Sequence, residues 1–160
     1  MSTKSLFRSL VLLIPLASLA ACTGMRGPDV ATPTNTSAAT ETTDIAVASS
    51  NPAVIALVDN ARAEASAGRL PTATASVERA LRIEPRNPVL WQELAMLKLQ
   101  KGDYQQAETF AARSNSWAGS NKPLLAKNWR IISEARALHG DSEGARAALA
   151  RAQALESESE

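Results

Sequence analysis

The stretch Pro88–Asn121, PVLWQELAMLKLQKGDYQQAETFAARSNSWAGSN, is the clearest structural unit in this sequence. Large and small apolar residues recur in it at helical spacing, on both sides of Gly102. We expect the large residues to fill the space between two helices and the small ones to lie where the helices touch. The pattern consists of Trp91, Leu94, Ala95, Gly102, Tyr104, Ala107, Phe110 and Ala111. It predicts a helix-turn-helix hairpin.

Copies of this unit lie on both sides of it. A shift of 34 residues maps Gly68 onto Gly102, and a further shift of 38 maps Gly102 onto Gly140 and Trp91 onto Trp129. A period of about 34 residues resembles that of tetratricopeptide repeats, which are helical hairpins stacked into a solenoid. The resemblance predicts an all-α fold, an array of three tetratricopeptide-like hairpins forming a short α-solenoid. The expected domain is 52–155, with repeats at about 54–87, 88–121 and 126–155.

Helix boundaries are marked by capping residues. Asn51 and Asn87 each precede a proline, whose fixed φ suits the first helical position, so both predict a helix start. Asp103 and Asp141 each follow a glycine and are expected to cap the second helix of their hairpins. Gln106, three residues after Asp103, completes a capping-box pattern.

The third copy carries four extra residues relative to the second. We expect them in the connection near Ala118 to Pro123. The small residues that should let the two helices of each hairpin approach closely are Ala61, Ala95 and Ser133 on the first helices, with Ala73, Ala107 and Ala145 opposite them.

The N-terminus carries an export signal. Lys4 and Arg8 precede an apolar run at 10–17 that is shorter than the ~20 residues needed to span a bilayer. Residues 19–22, Leu-Ala-Ala-Cys, resemble the lipobox of bacterial lipoproteins. That resemblance implies that a signal peptide, 1–21, is removed and that Cys22 is acylated with chains such as palmitate. An ordinary cleavage site with an incidental cysteine is the alternative. Thr23 stands where an aspartate would favour the inner membrane, so the resemblance implies the outer membrane.

Two segments flank the predicted domain. Residues 22–51 are rich in Thr, Ala, Ser and Pro and lack apolar periodicity, so we expect a disordered tether after the lipidated cysteine. Residues 156–160 form an acidic tail.

Composition argues against several classes of function. The formal charge of +1 becomes −1 when Lys4 and Arg8 are removed with the leader, so no basic field favours nucleic acid. Neither the single cysteine nor the lone His139 has partners for a metal site. The sequence has no nucleophile elbow and no phosphate loop. Glu93 and other helical carboxylates alternate with arginines, as on solvated helix faces. We therefore expect no enzyme activity, no cofactor, no metal and no small-molecule substrate.

The inner face of such an array is lined by the first helix of each hairpin. Helical projection predicts partner-binding residues there, namely Ile55, Val58, Arg62, Val89, Gln92, Met96, Leu99, Arg130 and Glu134. Trp117, at the end of a second helix, is a further candidate for partner binding or for packing against the third repeat. The lysines and asparagines with which some family members hold a terminal carboxylate are absent from the equivalent positions. The alternative is that binding uses the convex side.

The complete architecture of anchor, tether and three repeats resembles small tetratricopeptide lipoproteins of Gram-negative envelopes, and among them the LpoP family. The resemblance implies a non-catalytic lipoprotein on the periplasmic face of the outer membrane that binds and activates a class A penicillin-binding protein, a bifunctional peptidoglycan synthase. Two alternatives stay open. One is a pilotin-like assembly factor for the secretins of type IV pili or secretion systems, and the other is an adaptor for envelope hydrolases.

Overall fold

The computed structural model describes residues 49–158, and these form six α-helices. The predicted signal peptide, Cys22 and nearly all of the predicted tether lie outside this range. Helices pack as three consecutive hairpins, and the first helices of the second and third hairpins also touch each other. This confirms the predicted all-α array. The helices are α1 (Pro52–Ser66), α2 (Leu70–Ile83), α3 (Pro88–Lys101), α4 (Tyr104–Trp117), α5 (Lys122–Leu138) and α6 (Ser142–Ser157).

The helix ends follow the capping signals with one exception. The side chains of Asn51 and Asn87 each accept a backbone hydrogen bond of 3.0 Å at the starts of α1 and α3. Gly102 ends α3 with a φ of 86°, a conformation that favours glycine. Asp141 caps α6 by accepting from the backbone N–H of Gly144 at 2.8 Å. Asp103 makes no such bond, because its carboxylate instead pairs with Lys101 at 3.0 Å.

Three of the four extra residues of the third copy lengthen a helix and the fourth, His139, lies in the turn after it, so the prediction that they lengthen the preceding connection is wrong. Residues 84–87 connect α2 to α3, and residues 118–121 connect α4 to α5, so the two connections have equal length. Helix α5 has 17 residues where α3 has 14. It gains a turn because Asn121 caps it early, accepting from the backbone N–H of Leu124 at 3.1 Å.

Two clusters of buried side chains make up the core. The first joins α1, α2 and α3 through large aliphatic residues such as Val58, Val77 and Leu90. The second joins four helices, α3, α4, α5 and α6. Its buried members are alanines together with Ile131 and Ile132. Ala107 is fully buried there, in the same cluster as Ala95, the small residue that the sequence places opposite it.

Both flanks of the domain are attached to it by polar contacts. Ser49, inside the predicted tether, is buried, and its hydroxyl donates to Glu84 at 2.7 Å. At the other flank, α6 continues into the predicted acidic tail, where the Glu158 carboxylate lies 3.3 Å from the Lys122 ammonium. The folded region is therefore slightly longer at both ends than the sequence predicts.

Within residues 49–158, no helix is both long enough and apolar enough to cross a membrane.

Candidate partner-binding groove

A groove lies between α1 and α3, the first helices of the first two hairpins. Its volume is about 210 Å³. Pockets that enclose a small-molecule ligand usually hold roughly 300–1,000 Å³, so this groove suits one or two side chains of a protein partner. We call it the inner groove, and it is lined by Ala61, Arg62, Ala65, Ser66, Glu93, Met96, Leu97 and Gln100.

An ion pair crosses the inner groove. The guanidinium of Arg62 donates to Glu93 through Nε at 3.2 Å and through Nη2 at 2.5 Å. Glu93 is buried and Arg62 is half-buried, so the expectation that Glu93 lies on a solvated face is wrong. The position of Glu93, four residues from the buried Val89 and Leu97, was the sequence signal for its burial.

Arg62 keeps one donor without an acceptor. Its Nη1 atom is buried and has no hydrogen-bond partner. Since an unsatisfied buried donor costs about 1–3 kcal/mol, a carbonyl or carboxylate oxygen of a partner that reached Nη1 would be held strongly. The inner groove therefore combines a charged anchor with apolar walls.

The apolar part of the inner face comes from three predicted residues. Ile55 is half-buried against the first core, and Met96 and Leu99 are half-buried against the second. Partly exposed side chains of this kind remain available to a partner while their inner atoms hold them in place. Methionine also adapts its shape readily to different partners.

Three other predicted residues lie in the interior. Val58 is fully buried and Val89 nearly so, because both face the first core rather than the groove. Gln92 is also buried, and its amide donates to Asn128 of α5 at 3.1 Å. The prediction that these side chains lie on the inner surface is therefore wrong for all three, because neighbouring helices cover them. They support the face from behind.

Helix α5 contributes Arg130 and Glu134, which are both exposed. Arg130 donates two hydrogen bonds of 2.7 Å to Glu156. These bonds raise the pKa of Arg130 and lower the pKa of Glu156. Arg130 is thus engaged with α6, and a partner would have to compete with Glu156 for it.

Trp117 lies at the end of α4 with 42% of its surface exposed. The other two tryptophans are more enclosed, since Trp91 packs against Phe110 with ring centroids 5.7 Å apart and Trp129 packs against the second core. Trp117 is therefore the aromatic side chain most available to a partner among residues 49–158.

Sequence reasoning missed Asn128. This residue is fully buried, and its amide donates to Ser114 at 2.7 Å and to Asn115 at 2.9 Å. Together with the bond from Gln92, these contacts tie α3, α4 and α5 together behind the inner face. A shift of 38 residues maps Leu90 onto Asn128, and this polar residue at an apolar repeat position was the available signal.

Comparison with known proteins identifies the family. Residues 64–127 match the profile of the tetratricopeptide repeat family. The solved globular C-terminal domain of P. aeruginosa LpoP is 40% identical to this chain, with a TM-score of 0.63. The match covers 64% of this chain and 97% of that domain. The chain belongs to the LpoP family of tetratricopeptide-repeat proteins.

No curated protein matches the chain in sequence. The tetratricopeptide fold and the likeness to LpoP identify this chain as a scaffold for interaction with a protein partner. Among residues 49–158, no three His, Cys, Asp or Glu side chains are grouped as a metal site would need.

Proposed function

We propose that the protein is a non-catalytic lipoprotein of the outer membrane that binds and activates a class A penicillin-binding protein during cell-wall synthesis. Cys22 carries the lipid anchor at the periplasmic face, and residues 23–48 connect it to the repeat domain. Stable membrane attachment follows from several acyl chains on one cysteine, each contributing about 0.8 kcal/mol per buried CH₂.

The observation that carries this proposal is the match to LpoP over nearly the whole of that domain. Resemblance to the LpoP family implies activation of a bifunctional peptidoglycan synthase. The chemistry of the inner groove also supports the proposal. The groove offers the half-buried Met96 beside the buried, unpartnered Nη1 of Arg62, which suits an apolar anchor next to a hydrogen-bond acceptor.

Activation requires preferential binding to one state of the synthase. A scaffold shifts an equilibrium only by the difference in its affinity for the two conformations. A tenfold stimulation therefore needs about 1.4 kcal/mol of preference for the active state. One or two well-placed apolar contacts supply that much.

The reach of the tether sets a geometric condition. Residues 23–48 span about 90 Å when fully extended, at ~3.3–3.6 Å per residue. As a flexible chain they average about 30 Å. Shortening this segment in cells should therefore abolish activation while leaving the binding of the purified proteins unchanged.

The central experiment adds the purified chain to the class A synthase of the same cell and measures glycan polymerisation and peptide crosslinking. We expect stimulation that Met96→Glu or Leu99→Glu reduces at least about tenfold, since a buried charge replaces an apolar contact. Leu149→Glu on α6 is the matched control, because Leu149 is partly exposed and lies on a second helix. Thermal melting of each variant checks the fold.

Absence of both binding and stimulation by the parent chain would contradict the proposal. Crosslinking in cells to a secretin subunit would then support the pilotin interpretation instead. The anchor is tested separately, by mass spectrometry of the mature protein, where Cys22→Ala should remove the acyl chains.

A further inference from the structure

A second surface lies at the opposite end of α3 from Gly102. The guanidinium of Arg86, in the α2–α3 connection, lies over the ring of Trp117 at 5.3 Å from its centroid. The guanidinium of Arg113 lies over the ring of Trp91 at 4.5 Å. Arg113 and Trp117 are one turn apart on α4, so the two pairs are neighbours. We call these four residues the arginine–tryptophan cluster.

The cluster is held in place by its surroundings. The indole N–H of Trp91 donates to the carbonyl oxygen of Pro85 at 2.9 Å, which fixes the connection that carries Arg86. The same connection is held by Glu84, whose carboxylate accepts from Ser49 and from Asn87 at 2.7 Å each. The Trp91 ring and the connection that carries Arg86 are therefore held in place before any partner arrives, which lowers the entropic cost of binding.

The charges of the cluster are not neutralised within the described chain. Arg86 and Arg113 are exposed and form no ion pair with any of residues 49–158. Glu84, the nearest carboxylate in the sequence to Arg86, already accepts the two bonds described above. Six other basic side chains of the domain are paired with carboxylates, namely Arg62, Arg69, Lys101, Lys122, Arg130 and Arg136. Arg146 and Arg151 of α6 also form no ion pair within residues 49–158, so what distinguishes Arg86 and Arg113 is their position over tryptophan rings.

The attraction between a guanidinium and a tryptophan ring uses the positive charge and no N–H donor. The N–H groups of both arginines therefore still fit the two oxygens of a carboxylate. Trp117 offers apolar surface beside these donors. Tryptophan and arginine together are the residue types that most often dominate the binding energy of protein interfaces.

We propose that the arginine–tryptophan cluster is a second docking surface, for an acidic segment of a protein partner in which carboxylates flank an apolar side chain. Two guanidiniums without acidic partners select carboxylates by charge, and the exposed edge of Trp117 accepts the apolar side chain. This surface is separate from the inner groove and binds whether or not the partner of the inner groove is a peptidoglycan synthase.

The test uses the chain without its predicted signal peptide, with Cys22→Ser to keep it soluble. The probe is an eight-residue peptide of serines with two glutamates flanking one leucine. We expect the peptide to shift the indole N–H signals of Trp91 and Trp117 in ¹H–¹⁵N NMR spectra and to leave that of Trp129 unchanged. Double replacement by Arg86→Gln and Arg113→Gln should weaken binding at least about fivefold. The matched control is Arg146→Gln with Arg151→Gln on α6.

Several results would overturn the proposal. One is the absence of any shift, and another is an equal shift with a peptide carrying glutamine or lysine in place of glutamate. A shift with phosphatidylglycerol vesicles but not with the peptide would assign the surface to anionic lipid. A change in the Trp117 signal on Glu41→Gln with Asp44→Asn, before peptide is added, would assign it to the chain's own N-terminal segment.

Discussion

Leu90 in the second hairpin and Asn128 in the third hold equivalent repeat positions, and both are fully buried. Leu90 packs in the first core among other large aliphatic side chains. Asn128 instead makes hydrogen bonds to α3 and α4. The same position is thus filled by packing in one repeat and by polar contacts in the next. The repeat position determines that the residue is buried. The neighbouring side chains determine whether that residue is apolar or polar.

The two cores differ in the same way. The first core is filled by large side chains. Shortening one of them lowers the free energy of unfolding, because buried apolar area is lost and a cavity is left behind. The second consists mostly of alanine, so it is sensitive to added volume. The buried hydrogen bonds of Asn128, which join the same helices α3, α4 and α5, are sensitive to the loss of a partner. This difference can be tested by substitutions at equivalent depth in each core.

Leu90→Ala should have the largest effect. Removing a fully buried leucine from a core of large side chains leaves a cavity, and we expect the free energy of unfolding to fall by about 2–5 kcal/mol. Urea unfolding followed by circular dichroism measures it. A loss below about 1 kcal/mol would mean that the first core collapses around the cavity and does not depend on volume.

Asn128→Leu restores the residue type of the equivalent position and should nevertheless destabilise. Gln92 loses its acceptor at 3.1 Å and Ser114 loses a donor at 2.7 Å, which costs roughly 1–3 kcal/mol for a buried unsatisfied group. Adding Gln92→Leu should recover part of that loss in a double-mutant cycle. An increase in the melting temperature of the single variant would show that the polar contacts contribute nothing to stability.

Ala107→Leu tests the close approach in the second core. Ala107 is fully buried between α3 and α4, so the larger side chain should lower the free energy of unfolding by about 1–3 kcal/mol through overpacking. Ala112→Leu on the exposed side of α4 is the control. A variant at 107 that melts within a degree of the parent would contradict the predicted register of the repeat.

Acid should produce the smallest effect, at the surface ion pairs. Hydrogen bonds from Arg69 and Arg130 lower the pKa values of Glu64 and Glu156 below the ordinary value of 4.5. These pairs therefore stabilise the fold above about pH 4.5, and the contribution is lost as pH falls through the lowered pKa values. Glu156→Gln should flatten the pH dependence of the melting temperature in this range. An unchanged slope would show that the α5–α6 pair is not coupled to folding.

Much of the fold was predictable because its signals are local. The caps at Asn51, Asn87 and Asp141 depend on residues within one turn, and the structure confirms all three. Asp103 failed as a cap because Lys101, two residues away, competes for its carboxylate. The longer α5 was not predictable from repeat spacing, since an insertion lengthens a helix or a connection with the same change in period.

The candidate surfaces were predictable only in part. Projection found Arg62, Met96 and Leu99 on the inner face but also placed Val58 and Gln92 there, although both are buried. A helical wheel gives the angle of a side chain and not the distance to the neighbouring helix. The Arg86–Trp117 and Arg113–Trp91 contacts join residues 31 and 22 positions apart, so no periodicity within one helix indicates them.

The sequence by itself determined the kind of molecule this is, because composition, a period of about 34 residues and local caps specify helical hairpins that stack in order. The tertiary structure alone decided which polar groups are buried and which remain free. Glu93 and Asn128 are interior because neighbouring helices cover them and supply their partners, while Arg86 and Arg113 lie over tryptophan rings and form no ion pair within residues 49–158. Burial and pairing depend on side chains from other helices, and that information is not local in the sequence.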